Sequence, residues 1–308
     1  MTDEAPWRRS ADEDVAAPAQ AAAAPDYRTL TYEVDGAVAR LTFDRPEHGN
    51  AITVDTPREL ADAVERADLD PRVRVIVVSG RGKGFCGGYD LSAFAEQAIP
   101  NHDPTQPWDP MVDYAMMSRF TKGYASLLHA NKPTVAKIHG FCVAGGTDIA
   151  LHCDQIVIAA DAKIGYPPTR VWGVPSAGLW AHRLGDQRAK RLLLTGDCLS
   201  GREAAEWGLA IEAPEPADLD ERTENLVQRI AAMPLNQLMM VKLALNSALL
   251  AQGVETSRMV STVFDGISRH TREGYSFAAR AMEAGFKQAV RERDAAPYGD
   301  FGPSTNKG

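Results

Sequence analysis

The stretch Phe85-Cys86-Gly87-Gly88-Tyr89-Asp90-Leu91 (FCGGYDL, 85–91) comes after a strand-like segment and opens a short helix. About fifty residues later, residues 139–154 read HGFCVAGGTDIALHCD. This passage is again a strand-like segment, a turn of small residues and the start of a helix. The nearly all-β-branched run at 73–78 predicts the buried strand before the first passage, and residues 134–138 predict the strand before the second. Two strand–turn–helix passages with glycine at the turn indicate an α/β fold. Because glycine has no side chain, other groups can approach the backbone closely at these two turns.

The glycines of the first passage also spell a nucleotide-binding motif. Gly82, Gly84 and Gly87 give G-x-G-x-x-G after a predicted strand. A dinucleotide fold needs those glycines to open a helix, and an acidic residue to end a second strand about 20 positions later. Here the helix begins only after Asp90, and the required strand would fall in the proline-rich segment at 98–110. The context therefore argues against a dinucleotide site.

The second passage offers hydrogen-bond donors at the start of a helix. The first N–H groups of a helix have no intrahelical partner, and Gly145 and Gly146 let a substrate approach them. Asp148 lies three residues after Gly145 and hence on the same helix face. Such donors suit a developing oxyanion, with Asp148 as a nearby acid or base. The alternative is a tight turn in which Asp148 only complements the helix dipole.

Composition limits the class of protein. The chain has 308 residues, 44% of them hydrophobic, with 33 basic and 41 acidic side chains and a formal charge of −8. The acidic balance speaks against a nucleic-acid partner, and no apolar run is long enough to cross a membrane. Four scattered cysteines predict neither a disulfide framework nor a zinc site. We expect a reduced, soluble, cytoplasmic protein without nucleic-acid or membrane partners.

Residue patterns divide the chain into four parts. Residues 1–26 are acidic and rich in alanine and proline, which predicts a disordered tail. Residues 27–197 are predicted to form an α/β core, although the strand–helix alternation already ends near residue 180. Residues 198–294 are predicted to be a helical region, and residues 295–308 a flexible tail. Four apolar residues at four-residue spacing predict one late helix whose apolar face must cover something: Ala278, Met282, Phe286 and Val290.

Together the two passages resemble the crotonase superfamily, which comprises the enoyl-CoA hydratases and isomerases. Three further stretches carry the same resemblance: LTFDRPEHGNAI (41–52), VRVIVVSGRGKGF (73–85) and LLLTGDCLSGREAAEWGL (192–209). The resemblance covers about residues 28–292. It implies a crotonase-like α/β spiral of ββα units, followed by a C-terminal helical region that packs across subunits in a homotrimer or hexamer.

The resemblance implies an acyl-coenzyme A thioester as substrate, with no cofactor besides the coenzyme A that the substrate carries. The family holds the thioester oxygen with two backbone N–H groups, which match Tyr89 and Gly145. Fixed donors stabilise negative charge on that oxygen without reorganising. A typical hydratase also has two glutamates, of which the first matches Asp148. The second matches Pro168, which cannot transfer protons, so the usual two-carboxylate mechanism is in question.

Further contacts are predicted around these groups. Coenzyme A carries phosphates, which Arg81 and Lys83 beside the glycine loop and Lys287 on the late helix are expected to meet. Tyr166 is a polar candidate to replace the missing acid, whereas Arg170 cannot be a base and is expected to form an ion pair. The predicted substrate and CoA contacts are Arg81, Lys83, Gly87, Gly88, Asp90, Gly146, Tyr166 and Lys287.

The predicted activity is that of an enoyl-CoA hydratase in fatty acid metabolism, with Asp148 as acid or base. A single carboxylate would also serve enoyl-CoA isomerisation or acyl-CoA hydrolysis. A catalytically quiet acyl-CoA-binding protein is the alternative from another class. No metal is expected, because the adjacent His152 and Cys153 point about 100° apart on a helix and would not chelate together with Cys142. His152 is instead expected to be a half-buried histidine with satisfied hydrogen bonds.

Overall fold

The computed structural model describes residues 26–95 and 101–295. The predicted tails at 1–26 and 295–308 lie outside the described residues except for Asp26 and Ala295. The start of the predicted 98–110 loop lies outside them as well. From residue 101 to residue 109 that loop contains neither helix nor strand, as predicted.

The described strands form two sheets. In chain order they are β1 (Leu30–Asp35), β2 (Val38–Phe43), β3 (Val75–Gly80), β4 (Thr134–Ile138), β5 (Phe141–Val143), β6 (Gln155–Ile158), β7 (Lys163–Gly165) and β8 (Cys198–Ser200). The larger sheet has the order β1-β2-β3-β4-β6 and is parallel except for the β1–β2 hairpin. The smaller sheet has the order β5-β7-β8, with β7 and β8 antiparallel.

Successive passes of the chain feed both sheets, which makes the fold a spiral. β4 continues into β5 after two residues, and β6 is soon followed by β7. Each of these two passes therefore adds one strand to the larger sheet and one to the smaller sheet. A parallel bridge between Cys86 and Cys142 ties the first glycine-rich passage to β5, and another joins Ile52 to Tyr89. The predicted α/β spiral is confirmed, and it places the two glycine-rich turns side by side.

Helices surround the sheets and make up most of the C-terminal region. They are α1 (Thr56–Leu69), α2 (Leu91–Phe94), α3 (Pro110–His129), α4 (Gly145–His152), α5 (Ala177–Leu184), α6 (Asp186–Leu193), α7 (Gly201–Glu206), α8 (Leu219–Ala231), α9 (Leu235–Ala251), α10 (Val254–Arg269), α11 (Arg272–Ala284) and α12 (Phe286–Ala295). α3 packs against α1, α4 and α10, which brings the C-terminal helices over the second glycine-rich passage. None of the described helices combines the length and the apolarity needed to cross a bilayer.

Two features of the C-terminal region differ from the sequence prediction. β8 lies where only helices are predicted, because its partner β7 is more than thirty residues earlier and a three-residue strand has no readable periodicity. The predicted late helix is two helices, separated at Gly285, whose φ of +82° ends α11. Within the predicted stripe, Ala278 is buried but Met282 is 54% exposed.

Candidate active site

A cavity of about 790 Å³ opens between the two glycine-rich passages and the C-terminal helices. Its wall is mainly apolar and aromatic, with polar groups from several elements, α10 and α12 among them. Tyr89, Phe120, Val143 and Phe286 are among the lining residues. Such a mixture is typical of a site for a small organic ligand.

The Tyr89 and Gly145 turns meet at this cavity. A Cβ atom built on Gly88, whose φ is +93°, would lie 2.6 Å from Ala144 Cβ and 3.3 Å from Gly145 N. A Cβ atom built on Gly145 would lie 3.0 Å from the Tyr89 ring. Within residues 26–95 and 101–295, neither the Tyr89 N–H nor the Gly145 N–H donates a hydrogen bond to protein. Two unpaired donors therefore lie in adjoining turns.

The backbone conformation of Ala144 sets the orientation of the Gly145 N–H group. Ala144 precedes α4 and has φ +53° and ψ −132°, which residues with a Cβ atom rarely adopt. Its own N–H donates to Gly165 O at 3.1 Å, so pairing with the smaller sheet holds the strained turn in place. The first N–H of α4 is thereby left without an intrahelical partner at the cavity end of the helix.

Asp148 is a buried carboxylate on α4. It is 5% exposed, and its Oδ1 accepts a hydrogen bond from Ser176 N–H at 2.8 Å. Burial raises the pKa of Asp148 to about 7, while hydrogen bonding from Ser176 opposes the rise. Asp148 does not itself line the cavity, but its charge acts on Tyr89 and Tyr166, which do. The carboxyl group is thus close to two residues that form the cavity wall.

The position of the missing acid faces the cavity. Pro168 and Tyr166 both line it, and burial raises the pKa of Tyr166 well above its ordinary value. Arg170 forms the expected ion pairs, with Asp197 and Asp294 at 3.4 Å each. These ion pairs hold the segment after β7 in place.

The predicted contact residues separate into two groups. Those that line the cavity are Gly87, Tyr89, Asp90, Tyr166 and Lys287. Those that do not are Arg81, Lys83, Gly88, Gly146 and the catalytic candidates Gly145 and Asp148. Gly88 and Gly146 instead allow close packing, since a Cβ atom on Gly146 would lie 2.6 Å from Cys86 O. Arg81 is engaged in an ion pair with Asp44.

Asp90 and Gly87 also have structural roles at the cavity edge. The Asp90 carboxylate accepts from Ser92 N–H at the start of α2 and pairs with Arg45 at 3.0 Å. The Gly87 N–H donates to Gly49 O at 2.9 Å. Both residues fix the first turn, so that Tyr89 N–H stays free.

His152 is more deeply buried than predicted. It is 1% exposed, and its Nδ1 lies 2.6 Å from Asp148 O. Among the described residues Nε2 has no hydrogen-bond partner, so the prediction of satisfied hydrogen bonds is wrong for this atom. Burial lowers the pKa of His152 to about 4, so the ring is neutral near neutral pH. Within the part of the chain that the structure describes, no three His, Cys, Asp or Glu side chains are placed to hold a metal ion.

Sequence reasoning missed two polar residues that α10 brings to the cavity. Asp265 and Arg269 line it and form an ion pair of 3.2 Å at (i, i+4) spacing. The available signal was an acid–base pair in an otherwise uncharged helical stretch, MVSTVFDGISR (259–269). The neighbouring sequence does not indicate that this pair lines the same cavity as the glycine-rich turns.

The adjoining turns with their two unpaired donors, the buried carboxylate and the apolar cavity together form the candidate active site. The chain belongs to the enoyl-CoA hydratase/isomerase family, whose family model matches residues 33–288. This confirms the class of acyl-CoA enzyme that the sequence predicts.

Known relatives share this framework and carry different activities. A crystal structure of enoyl-CoA hydratase from Mycobacterium smegmatis is 70% identical, with a TM-score of 0.83 over 87% of this chain and 93% of that one. A probable enoyl-CoA hydratase of Rhizobium meliloti is 29% identical over 85% of this chain and 98% of its own length. A 1,2-epoxyphenylacetyl-CoA isomerase of Escherichia coli is 28% identical over 70% of this chain and 80% of its own.

Proposed function

We propose that the protein is an acyl-CoA enzyme of the hydratase type, which adds water across the 2,3 double bond of an enoyl-CoA thioester. The observation that carries the proposal is the pair of unpaired backbone donors at Tyr89 and Gly145 in adjoining turns beside the cavity. The likeness to the mycobacterial hydratase at 70% identity supports hydration over the other reactions of the family.

The two donors act on the charge that hydration creates. Addition of water at C3 moves electrons onto the thioester oxygen, which becomes an enolate oxygen. Fixed N–H groups stabilise that charge without reorganising, and one such donor is worth about 10²–10³ in rate. The strained turn at Ala144 keeps the Gly145 donor in place through the reaction.

Asp148 exchanges a proton with C2 in this proposal. Its carboxyl group is close enough to Tyr89 and Tyr166, which line the cavity, for its charge to act on both. Its pKa of about 7 lets it hold a proton or release it near neutral pH. In hydration it donates to C2, and in the reverse direction it removes the C2 proton. The reaction needs no cofactor beyond the coenzyme A of the substrate.

The coenzyme A phosphates are proposed to meet α12. Lys287 on this helix is exposed and lines the cavity, whereas Arg81 is paired with Asp44. Lys83 lies outside the cavity wall and remains a second candidate. A cation near the cavity mouth attracts phosphate through a charge-assisted hydrogen bond.

We further propose a trimer or hexamer that works in the cytoplasm on intermediates of fatty acid metabolism. Exposed apolar side chains on α9 and α10 support the assembly. The cysteines of the chain are buried and form no disulfide among the described residues, which fits a reducing compartment.

The test is turnover of crotonyl-CoA by the full-length protein. We expect loss of the absorbance of the conjugated thioester and a product heavier by one water. Release of free thiol would show hydrolysis instead, and conversion of a 3-enoyl-CoA without gain of water would show isomerisation. Binding of acyl-CoA with no chemical change would favour a catalytically quiet protein and contradict the proposal.

A further inference from the structure

Helix α10 directs a carboxylate into the cavity. The Asp265 side chain is 13% exposed and lines the cavity together with Tyr166 and Pro168. At neighbouring positions of the same helix, Phe264 and Ile267 are 52% and 37% exposed and do not line the cavity. Asp265 and, one turn later, Arg269 are the residues of α10 that line the cavity.

Asp265 lies beside the proline that occupies the second acid position. A Cβ atom built on Gly173 would lie 3.2 Å from both Pro168 Cβ and the Tyr166 hydroxyl oxygen. The same atom would lie 3.7 Å from Asp265 Oδ1. The three side chains therefore surround one point of the cavity wall, and this point stays empty because Gly173 has no side chain.

Two donors hold and orient the Asp265 carboxylate. Val174 N–H donates to Oδ1 at 3.2 Å, and Arg269 Nη1 lies 3.2 Å from Oδ2. Arg269 also pairs with Asp113 at 3.4 Å, so its guanidinium is fixed from two sides. Burial raises the pKa of Asp265, and the positive charge of Arg269 acts against that rise.

We propose that Asp265 is the second acid–base group of the hydration reaction and supplies, from α10, the carboxylate that Pro168 cannot. The inference rests on the proposed function, since it assigns a role within the same reaction. Asp265 acts on the water, and Asp148 acts on C2.

Protons and electron pairs balance in this reaction. The Asp265 carboxylate takes a proton from water while the water oxygen forms a bond to C3. The C2–C3 π pair moves toward C1, and the carbonyl pair moves onto the oxygen that Tyr89 N–H and Gly145 N–H hold. As the enolate collapses, C2 takes the proton of Asp148. The proton on Asp265 then passes through cavity water to Asp148, and nothing is oxidised or reduced.

Other ionisable groups of the cavity are less suited to act on water. The Asp113 carboxylate is engaged by Trp108, His270 and Arg269. Burial raises the pKa of Tyr166 well above its ordinary value, so it is not a base near neutral pH. Asp90 pairs with Arg45 and caps α2, and Asp294 pairs with Arg170 and Arg293. Among these lining carboxylates, Asp265 is the one that lies beside Pro168 and Tyr166.

The experiment compares two reactions of the full-length protein. Hydration of crotonyl-CoA requires both proposed acid–base groups, whereas exchange of the C2 proton of butyryl-CoA in D₂O requires only Asp148. Because the charge of Asp265 also raises the pKa of Asp148, each protein is compared at its own optimal pH. We expect Asp265→Asn to lower kcat for hydration by about 10²–10⁴ and to leave exchange at that pH nearly unchanged. Asp148→Asn should lower both. Glu255→Gln is the matched control, since it removes a carboxylate paired with Arg258 on the same helix outside the cavity.

Two further variants test the role if Asp265→Asn fails to fold. Asp265→Glu keeps the carboxylate and should retain more hydration than the amide. Arg269→Gln removes the charge that lowers the pKa of Asp265, so the acidic limb of the hydration rate should move to higher pH while the exchange profile stays.

The outcomes separate this inference from the proposed function. Hydration by Asp265→Asn within about threefold of wild type overturns the inference, and so does an equal loss of hydration and exchange, which indicates a structural role. A wild-type protein that catalyses neither reaction overturns the proposed function itself.

Discussion

Asp148 is a buried carboxyl group in the first turn of α4. The proposed mechanism depends on this group. Asp148→Asn keeps the size of the side chain and removes proton transfer. We expect turnover of crotonyl-CoA to fall by about 10²–10⁴, with acyl-CoA affinity nearly unchanged. Steady-state kinetics and equilibrium binding measure the two quantities. Asp161→Asn, an exposed carboxylate outside the cavity, is the control. Near-full activity of Asp148→Asn would reduce Asp148 to a structural acid of the helix start.

The same carboxyl group makes stability depend on pH. Asp148 has a folded pKa of about 7 against 3.8 as its ordinary value, chiefly through desolvation. The proton therefore binds more tightly to the folded chain than to the unfolded chain. Between these two pKa values the folded chain holds the extra proton, so stability is lost as the pH rises through this window.

Asp148→Asn should therefore gain stability relative to wild type as the pH rises. Thermal unfolding of both proteins at about pH 5 and about pH 8 measures the difference, which should favour the variant more at the higher pH. A difference in melting temperature that does not change with pH would contradict the assigned pKa.

At the scale of elements, the oxyanion site depends on the contact between the two turns. Gly88→Ala would place a methyl group 2.6 Å from Ala144 Cβ at a φ of +93°. Backbone strain of this kind costs about 1–3 kcal/mol, and the two donors would move apart. We expect lower thermal stability together with a kcat loss of at least about tenfold.

Gly36→Ala is the matched control for that variant. Gly36 also has a positive φ, +55°, but nothing lies within 4 Å of its added Cβ atom. It should lose stability without losing kcat. Equal activity of Gly88→Ala and Gly36→Ala would show that the contact between the turns does not set the donors.

Helix α12 is the element proposed to bind the coenzyme A phosphates. Lys287→Ala should raise the Kd for CoA, more at low than at high salt, because salt screens an exposed charge pair. Calorimetry with CoA alone measures it. The Arg81→Ala, Lys83→Ala double variant is the comparison, and a larger effect there would place the phosphates beside the first glycine-rich loop instead.

At the scale of the whole molecule, α9 and α10 expose many large apolar side chains, and contiguous exposed apolar patches mark protein–protein contacts. Within α9 only Lys242 is buried. The exposed apolar side chains of the two helices include Met240, Val241, Leu243, Leu245, Met259, Val260, Val263 and Phe264. We expect a trimer or a multiple of three in sedimentation at micromolar concentration. A stable monomer there would contradict the proposed assembly.

The sequence by itself determined the class of fold and the two turns. Hydrophobic periodicity placed the central strands and helices, and glycine at Gly88 and Gly145 marked where backbones approach. These features are local, since a run of β-branched residues or a helix start depends on near neighbours. The predicted acid Asp148 and the ion-paired Arg170 follow from the same local reading.

Tertiary structure alone decided what lies opposite those turns. The pairing of β8 with β7, the break at Gly285 and the approach of Asp265 to Pro168 join residues far apart in the chain. It also paired Arg81 with Asp44 away from the cavity and buried Asp148 beside the cavity wall. Such contacts depend on how separate elements pack, because a side chain's burial and partners come from segments that its own sequence neighbourhood does not contain.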